Sequence, residues 1–290
     1  MTSTNDDQII TALKNATQTI KDPADRLIPT LDEATVDSLA VQFGCTRAEV
    51  HILALKQGIW PHRYIRNQAS LSSADQIRLA QSRVAVVGCG GLGGTVIALL
   101  ARSGIGSLTI VDSDVFDETN LNRQLVSGIA NLGQSKSKAA GKMVAGINPA
   151  VNTTCHAERI DTQNAMDLLS GSEVLVDALD NIPGRFVLDA AARQLGIPMV
   201  HGALAGFNGQ VMTFFPEDPG IKVLYGEKRP AADDPKRAEA VLGVPALTPS
   251  AVATVQAMEV VKIILKRGQL LRNRMLHIDL EASRYEVFNF

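Results

Sequence analysis

Short apolar runs and longer amphipathic segments alternate through the middle of the chain. A short run bounded by turn residues is typical of a buried strand, and a longer segment with a 3.6-residue period is typical of a helix. The predicted strands cover residues 83–87, 104–112, 151–156, 172–180 and 198–201. The predicted helices cover residues 95–102, 136–147, 162–169 and 183–195. This alternation predicts an α/β fold with a Rossmann-like, mostly parallel sheet.

The pattern changes in the last third of the chain. Antiparallel C-terminal strands are predicted over residues 208–215, 275–279 and 285–290. A long helix is predicted from about residue 248 to 266, with Thr248 as its N-cap and Pro249 at its first position. Residues 216–247 contain several prolines and no regular pattern. A loop of that length in a compact domain is usually functional or mobile, and we call it the crossover loop.

The first 58 residues predict a small helical N-terminal appendage, and residues 59–290 predict the main domain. Helices are expected near residues 8–20, followed by a linker, and over residues 33–43 and 51–56. Asp32 is the expected cap of the second helix, and Thr46 with Glu49 forms a capping box for the third. Two helices joined by a tight turn are also typical of a DNA reader. The last helix carries almost no basic residue, which favours an appendage that packs on the main domain or on a partner.

Composition narrows the possible partners and the compartment. The net charge is −2, with 28 basic and 30 acidic residues, so no basic excess indicates nucleic acid. The three cysteines are scattered and form no C-x-x-C pair, which excludes a disulfide framework and a zinc knuckle. The uncharged run over residues 84–101 has the length of a membrane span, but its five glycines argue against a continuous helix. We expect a soluble cytoplasmic protein with no nucleic-acid or membrane partner.

A glycine-rich turn at residues 88–94 links the first predicted strand of the main domain to a helix. Glycine tolerates positive φ and lets a ligand approach the backbone, while the helix start offers unpaired N–H groups to an anion. Asp112 ends the next strand, 19 residues after Gly93, which is close to the spacing expected of a βαβ nucleotide unit. The turn therefore predicts a nucleotide site, suited equally to NAD, FAD or ATP.

Further charged residues follow at the same edge of the predicted sheet. Arg123 lies in a polar loop after Asp112, and Lys136 opens a helix, where a cation opposes the helix dipole unless an anion binds there. Asp180 and Asn181 follow the third core strand, so a carboxylate there can hold the Mg²⁺ of nucleotide phosphates. A surface lysine remains the alternative interpretation for Lys136, and a solvated basic turn remains the one for the segment around Arg66.

These segments together resemble the ubiquitin-activating-enzyme-like superfamily, on its ThiF/MoeB/HesA side. They occur in the order and spacing of that family over about residues 60–290. The matching segments are Arg63-Tyr-Ile-Arg-Asn67, Gly88-Cys-Gly-Gly-Leu-Gly93, Asp112-Ser-Asp114, Asn120-Leu-Asn-Arg-Gln124, Gly133-Gln-Ser-Lys136, Ile147-Asn-Pro149, Asp177-Ala-Leu-Asp-Asn181 and Gln256-Ala-Met-Glu-Val-Val-Lys262.

The resemblance implies a homodimer that uses ATP and Mg²⁺ to adenylate the C-terminal carboxylate of a small ubiquitin-like sulfur-carrier protein ending in Gly-Gly. Asp112 is then the ribose ligand and Asp180 the Mg²⁺ ligand, while Arg66 reaches the ATP of the neighbouring subunit. The resemblance also implies that the phosphates are contacted by Asn120, Arg123, Gln124 and Lys136. The remaining expected cofactor-binding residues are Gly88, Gly90, Gly91, Gly93, Asp114 and Asn181.

The chemistry of that reaction agrees with the residues present. A carboxylate is already ionised at neutral pH, so attack on the α-phosphate needs positioning and positive charge and no general base. Zinc-bearing relatives carry two C-x-x-C pairs, whereas the regions around 223–228 and after Asp279 contain no cysteine, so we expect no zinc. No cysteine follows Cys155, so we expect adenylation without thioester or persulfide formation, and Cys89 is expected to be a small filler.

Other functions fit parts of the same pattern. An NAD(P)- or FAD-dependent oxidoreductase uses the same glycine turn, although it does not need Arg123, Lys136 or Asp180. A scaffold that keeps the fold without catalysis is a third hypothesis, which the intact charged set argues against. Within the family, a tRNA-modifying or peptide-modifying role stays open, as do the identity of the carrier and its pathway.

Overall fold

The computed structural model describes residues 3–227 and 235–290 of the chain. Its N-terminal part consists of three helices and a small three-stranded sheet. The helices are α1 (Ser3–Ala16), α2 (Glu33–Phe43) and α3 (Arg47–Lys56). The strands are β1 (Gln18–Lys21), β2 (Leu27–Leu31) and β3 (Trp60–Pro61), in the order β1-β2-β3. The expected caps of α2 and α3 are confirmed, because Asp32 accepts from the Thr35 N–H and Thr46 with Glu49 forms the capping box.

The small sheet corrects the expectation of a helix over residues 8–20 followed by a linker. The helix ends at Ala16, and β1 and β2 form an antiparallel hairpin. Asp22 closes the turn between them, since one of its carboxylate oxygens accepts from the N–H groups of Ala24 and Arg26. β3 lies beyond residue 58, so the small sheet crosses the boundary that the sequence predicts between the appendage and the main domain.

The main sheet has eight strands in the order β11-β10-β9-β8-β7-β4-β5-β6. The strands β4 to β8 are parallel, and β9, β10 and β11 are antiparallel to their neighbours. This arrangement confirms the predicted Rossmann-like, mostly parallel sheet with antiparallel C-terminal strands. The strands are β4 (Arg83–Val87), β5 (Ser107–Val111), β6 (Asn152–His156), β7 (Val174–Asp177), β8 (Met199–Ala205), β9 (Asn208–Phe214), β10 (Arg274–Asp279) and β11 (Arg284–Asn289).

Helices cover both faces of this sheet. Alternate residues of β4 point to opposite faces, so Val84 and Val86 join one buried cluster while Ala85 and Val87 join the other. Elements on the first face are α4 (Ser73–Gln81), α5 (Gly91–Ser103), α6 (Lys136–Ile147) and α11 (Leu247–Leu265). Elements on the second face are α7 (Ala165–Leu169), α8 (Ile182–Leu195) and α9 (Lys222–Tyr225). The result is a three-layer α/β fold.

The long helix α11 is part of the core. Its length and apolar composition would suit a membrane crossing, and it is the one helix of the described segments that passes this test. Val252, Ala253 and Val260 are fully buried in the cluster that also holds α5. The prediction of Thr248 as the N-cap and Pro249 as the first helical residue is wrong, because the helix begins at Leu247. The Thr248 hydroxyl instead donates to the Gly206 carbonyl at 2.8 Å.

The crossover loop contains more regular structure than the sequence predicts. Besides α9, it includes the short helix α10 (Ala238–Leu242). Residues 228–234 of this loop lie outside the described part of the chain. Both short helices contribute to cavity walls at the carboxyl edge of the parallel strands.

Candidate functional site

A cavity of about 540 Å³ opens at the carboxyl ends of β4, β5 and β7. Binding sites of open α/β sheets lie in this position, where neighbouring strands connect to opposite faces. The cavity brings together most of the residues that the sequence singles out. These are Gly88, Gly90, Gly91, Asp112, Asp114, Arg123, Gln124, Lys136, Asp180 and Asn181. Gly93, Asn120 and Arg66 do not line it.

The glycine turn is shaped by two backbone requirements. Gly88 has φ +95°, and a Cβ placed there would lie 2.5 Å from the Ala178 carbonyl oxygen. A Cβ at Gly93 would lie 1.7 Å from the Gly88 carbonyl oxygen, so only glycine lets α5 begin directly against the turn. Gly93 therefore determines the shape of the turn without lining the cavity. Helix α5 starts at Gly91 instead of at the predicted residue 95.

Asp112 is held by backbone donors on both of its carboxylate oxygens. The Cys89 N–H donates to Oδ2 at 2.6 Å and the Asp114 N–H donates to Oδ1 at 2.8 Å. Burial raises the pKa of Asp112, although these backbone hydrogen bonds and the charge of Lys136 oppose the increase. A carboxylate offers about four acceptor positions, so two remain for the hydroxyls of a ribose.

Lys136 places a positive charge in the wall of the cavity. Its side chain is buried, and its Nζ lies 3.0 Å from Asp114 Oδ2. It is the first residue of α6, as predicted, and Ser135 caps that helix. The start of the helix adds a positive dipole end beside this ammonium group. The arrangement suits an anion such as a nucleotide phosphate.

Arg123 and Gln124 reach the cavity from the loop that follows β5. Arg123 Nη1 donates to the Thr119 carbonyl at 2.9 Å and to Asn122 Oδ1 at 2.8 Å. Gln124 Oε1 is buried and has no hydrogen-bond partner within the described ranges, which suits a polar ligand. Asn120 lies behind them, and its backbone carbonyl accepts from the N–H groups of both residues. Its side chain accepts from the Asp117 N–H, so Asn120 holds the loop together.

Asp180 and Asn181 lie between β7 and α8. Asn181 caps α8 by accepting from the Gly184 N–H at 2.9 Å. Asp180 is exposed at the cavity wall. Mg²⁺ on a nucleotide is usually held by one or two carboxylates plus the phosphates, and Asp180 fits that requirement.

No group of three or more His, Cys, Asp or Glu side chains within residues 3–227 and 235–290 could hold a metal by itself. The absence of zinc stays a prediction. Lys228, at the end of one region in which the sequence lacks cysteines, lies outside the described residues.

Arg66 lies away from the cavity. It is exposed on the 3-10 helix His62–Asn67, and its side chain has no hydrogen bond or ion pair with any other described residue. Its neighbour Arg63 is fixed instead, with Nε 2.5 Å from Glu33 Oε1 and Nη1 donating to the Ile147 carbonyl at 2.9 Å.

A second cavity of about 470 Å³ adjoins the first and was not predicted from the sequence. The two share part of their lining, namely Asp180, Asn181, Arg185, Leu204, Arg237 and Glu239. Beside the second cavity, a buried chain of polar groups links Asp177, His201 and Tyr225 to Arg185. No sequence pattern indicates these polar contacts. His201 is a single histidine within a strand, and Tyr225 belongs to the crossover loop, which has no regular sequence pattern.

The fold is shared with a solved enzyme structure. It is similar to "Microcin C7 biosynthetic enzyme MccB in complex with N-formylated MccA" with a TM-score of 0.68 and 17% identity. The likeness covers 97% of this chain and 87% of that one, so it extends over the N-terminal elements as well. At this low identity the similarity shows the fold alone.

Sequence relatives are more informative about the enzyme class. The chain is 39% identical over 214 residues to the SAMP-activating enzyme E1 of Haloferax volcanii, which covers 73% of this chain and 78% of that protein. It is 35% identical over 215 residues to the sulfur carrier protein adenylyltransferase of Thermus thermophilus, at 72% and 79% coverage. It spans only 55% to 58% of three further curated relatives. These names confirm the predicted enzyme class, an adenylyltransferase.

A sequence model of the ThiF family matches residues 64–290, which includes the glycine turn, the loop with Arg123, the start of α6 and the segment after β7. The match ends at the C-terminal strand and leaves out only the N-terminal elements. The residues that line the cavity thus lie within the matched region, and the chain belongs to the ThiF family.

Proposed function

We propose that this protein adenylates the C-terminal carboxylate of a small ubiquitin-like sulfur-carrier protein that ends in Gly-Gly, with ATP and Mg²⁺ as cofactors and pyrophosphate as the leaving product. The observation that carries the proposal is the joining of two cavities. One is lined by a glycine turn, Asp112, Lys136 and Asp180, and it shares a wall with a second, less polar cavity. A nucleotide and an extended peptide tail can meet at such a junction.

The first cavity supports ATP over a dinucleotide. The glycine turn and Asp112 would suit either ligand, because both present a ribose and phosphates. Lys136 and Arg123 add two cations to the wall, and Asp180 adds a carboxylate suited to Mg²⁺. A triphosphate with its metal needs all three, whereas hydride transfer to a nicotinamide needs none of them.

The reaction follows from these positions. An oxygen of the carrier carboxylate forms a bond to the α-phosphorus while the bond from that phosphorus to pyrophosphate breaks. No proton has to be removed from the nucleophile, so catalysis requires in-line positioning and positive charge on the phosphate oxygens. Lys136 and Arg123 supply charge from the cavity wall, and Mg²⁺ held at Asp180 would neutralise further phosphate charge when bound. Asp112 orients the nucleotide through its ribose.

The second cavity supports a peptide tail as substrate. Its lining includes Ala203 and Ala205 on β8, whose small side chains leave room for a narrow, extended chain. A Gly-Gly terminus suits such a passage because it has no side chains. The names of the Haloferax and Thermus relatives refer to SAMP and to a sulfur carrier, and we extend that substrate class to this chain.

The assembly and the cell compartment are part of the same proposal. Arg66 is exposed and has no partner in residues 3–227 and 235–290, so it is available to reach a phosphate in the cavity of a neighbouring subunit. We propose a cytoplasmic homodimer in which each ATP site is completed by Arg66 of the other protomer. The division at residue 58 between an N-terminal appendage and an adenylation domain is likewise our proposal.

The chain is proposed to stop at the adenylate. Burial raises the pKa of the Cys89 thiol well above its usual range, which makes it a poor nucleophile. Residues 156–290 contain no cysteine, so the crossover loop provides no thiol for a thioester or persulfide.

ATP–pyrophosphate exchange tests the proposal. Purified protein is incubated with ATP, Mg²⁺, labelled pyrophosphate and carrier proteins from the same genome that end in Gly-Gly. Label should enter ATP only with a matching carrier, and removal of its last two glycines should abolish the exchange. Exchange with a peptide or a tRNA fraction instead would move the substrate to another class. Tight NAD binding with no ATP binding would refute adenylation.

A further inference from the structure

Four polar side chains meet beside the shared wall of the two cavities. They come from four elements: Asp177 ends β7, Arg185 lies on α8, His201 lies on β8 and Tyr225 ends α9. Asp177 and His201 are fully buried, and Arg185 is 3% exposed. The His201 Nδ1 lies 2.7 Å from Asp177 Oδ2, and its Nε2 lies 3.2 Å from the Tyr225 hydroxyl. Arg185 Nη1 donates to that same hydroxyl.

The hydrogen bonds among these four side chains all point the same way, from Arg185 towards Asp177. An arginine can only donate, so the Tyr225 oxygen accepts from Arg185 and its own hydrogen points to His201 Nε2. His201 then carries its hydrogen on Nδ1 and donates to Asp177. Burial lowers the pKa of His201, which favours this neutral form although the Asp177 carboxylate opposes the decrease. Each group in the chain therefore has a fixed role and a fixed orientation.

Some N–H donors of Arg185 have no hydrogen-bond partner among residues 3–227 and 235–290. A guanidinium has five N–H groups. One bonds Tyr225, and Nη2 donates to the Leu179 carbonyl at 2.7 Å. Nε is buried without a hydrogen-bond partner within the described segments. The nearest carboxylate oxygen, on Asp177, is 3.9 Å from Nε and already accepts from His201.

The Asp177 carboxylate balances the charge of Arg185, but buried N–H donors without a hydrogen-bond partner remain unfavourable, because their lost hydration is not replaced unless a ligand accepts from them. A carboxylate is the ligand that matches a guanidinium most closely, since its two oxygens can accept from two parallel N–H groups. Arg185 lines both cavities, whereas Lys136 and Arg123 line only the first one, which we call the nucleotide cavity. The positive charge of Arg185 therefore lies at the wall that the two cavities share. A peptide tail that fills the second cavity would pass this wall to enter the first.

We propose that Arg185 binds the terminal carboxylate of the incoming peptide tail before adenylation, and that Tyr225, His201 and Asp177 hold its guanidinium in place. The inference rests on the proposed function and assigns the contact that recognises the substrate's chain end. Adenylation converts that carboxylate into an uncharged acyl group, so the contact weakens once the bond to phosphorus has formed. Arg185 then selects a free C-terminus over an amidated or extended one.

Direct binding of two synthetic peptides tests the contact. Both carry the last ten residues of a carrier that ends in Gly-Gly, one with a free carboxylate and one with a C-terminal amide. Calorimetry with a non-hydrolysable ATP analogue and Mg²⁺ should give the wild type at least a tenfold preference for the acid, about the effect of one charged hydrogen bond. Arg185→Lys should reduce that preference to about threefold or less and leave the affinity for the ATP analogue within about threefold.

Two further variants separate recognition from folding. Tyr225→Phe keeps the ring and removes the hydroxyl that holds Arg185, so acid binding should weaken about threefold to tenfold with no change for the amide. Arg193→Lys is the matched control on the same helix, because Arg193 bonds the carbonyl groups of Pro216 and Asp218 and lines neither cavity. It should keep the full preference for the acid.

The outcomes also separate this inference from the proposed function. Equal binding of acid and amide by the wild type, failure of the wild type to bind the acid at millimolar concentration, or an unchanged preference in both Arg185→Lys and Tyr225→Phe would overturn the role of Arg185. Pyrophosphate exchange with the wild type reports on adenylation separately. If the wild type prefers the acid peptide but catalyses no pyrophosphate exchange, the role of Arg185 in binding a carboxylate is supported and the proposed adenylation is refuted.

Discussion

The Lys136 ammonium group lies 3.0 Å from the Asp114 carboxylate at the wall of the nucleotide cavity. Lys136 is buried, whereas Asp114 is mostly exposed. In the proposed reaction a nucleotide phosphate, which carries more negative charge than a carboxylate, would replace Asp114 as the partner of the ammonium group. The ion pair with Asp114 compensates the buried cation in the protein without nucleotide.

Replacement of Lys136 tests its proposed contact with the phosphates. Lys136→Ala should reduce carrier-dependent pyrophosphate exchange by about 10²- to 10³-fold, the usual effect of losing one preorganised donor of charge. Lys138→Ala is the matched control, because Lys138 lies in the same helical turn but is exposed. Its exchange rate should stay within about twofold of wild type. Equal rates for the wild type and Lys136→Ala would remove Lys136 from the site.

The glycine turn gives a prediction about stability. Gly88→Ala forces a side chain into a backbone with φ +95° and against the Ala178 carbonyl oxygen. We expect a loss of about 2 kcal/mol or more in the free energy of unfolding, measured with urea, because both backbone strain and a steric clash contribute.

Gly128→Ala is the control for this substitution. A Cβ at Gly128 meets nothing within 4 Å, and its φ is −159°. That variant should unfold within about 0.5 kcal/mol of wild type. If Gly88→Ala has the same free energy of unfolding as the wild type, residue 88 does not have the positive φ and the close approach to Ala178 described above.

Subunit mixing tests whether Arg66 acts on the neighbouring protomer. Arg66→Ala and Lys136→Ala dimers should each be nearly inactive in pyrophosphate exchange. After the two are unfolded together at equal amounts and refolded, half of the dimers are mixed, and each mixed dimer contains one intact site. Activity should therefore return to about a quarter of wild type. No recovery, with mixed dimers demonstrated by mass spectrometry, would contradict a contribution in trans.

Much of the cavity could be predicted from the sequence, because its residues follow strands. Asp112 comes directly after β5 and Asp180 comes shortly after β7, and the carboxyl ends of parallel strands meet at one edge of the sheet. Lys136 could be placed because it opens a helix whose start faces the same edge. Local patterns fixed these positions without any knowledge of long-range packing.

The chain of polar groups around Arg185 could not be predicted in this way. Tyr225 lies 24 residues after His201 in a segment without a regular sequence pattern, and the two meet only through the tertiary fold. Thr248 shows the same limit, since a sequence suited to an N-cap placed its hydroxyl on the Gly206 carbonyl instead. The β1–β2 hairpin was missed because its four-residue strand follows directly on a helix and carries a weak alternating pattern.

His51 in the N-terminal part gives a prediction about pH. It is buried on α3 against the Tyr64 ring, its Nε2 has no hydrogen-bond partner in the described residues, and burial lowers its pKa to about 4. The unfolded chain has a histidine pKa near 6.5 and so binds more protons between pH 6.5 and 4. Folding is then weakened as the pH falls through this range, and the contribution of neutral His51 is fully present only above about pH 6.5.

The size of this effect can be measured against a variant without the imidazole. Lowering the pH from 7 to 5 should cost the wild type about 2 kcal/mol through His51, because pH 5 lies about 1.5 units below the histidine pKa of the unfolded chain and each unit corresponds to about 1.4 kcal/mol. His51→Phe keeps an aromatic ring beside Tyr64 and removes the titrating group. Urea unfolding of both proteins at pH 7 and pH 5 isolates the difference, since the other titrating groups are common to the two. The same loss of stability in the variant would assign the pH dependence to groups other than His51.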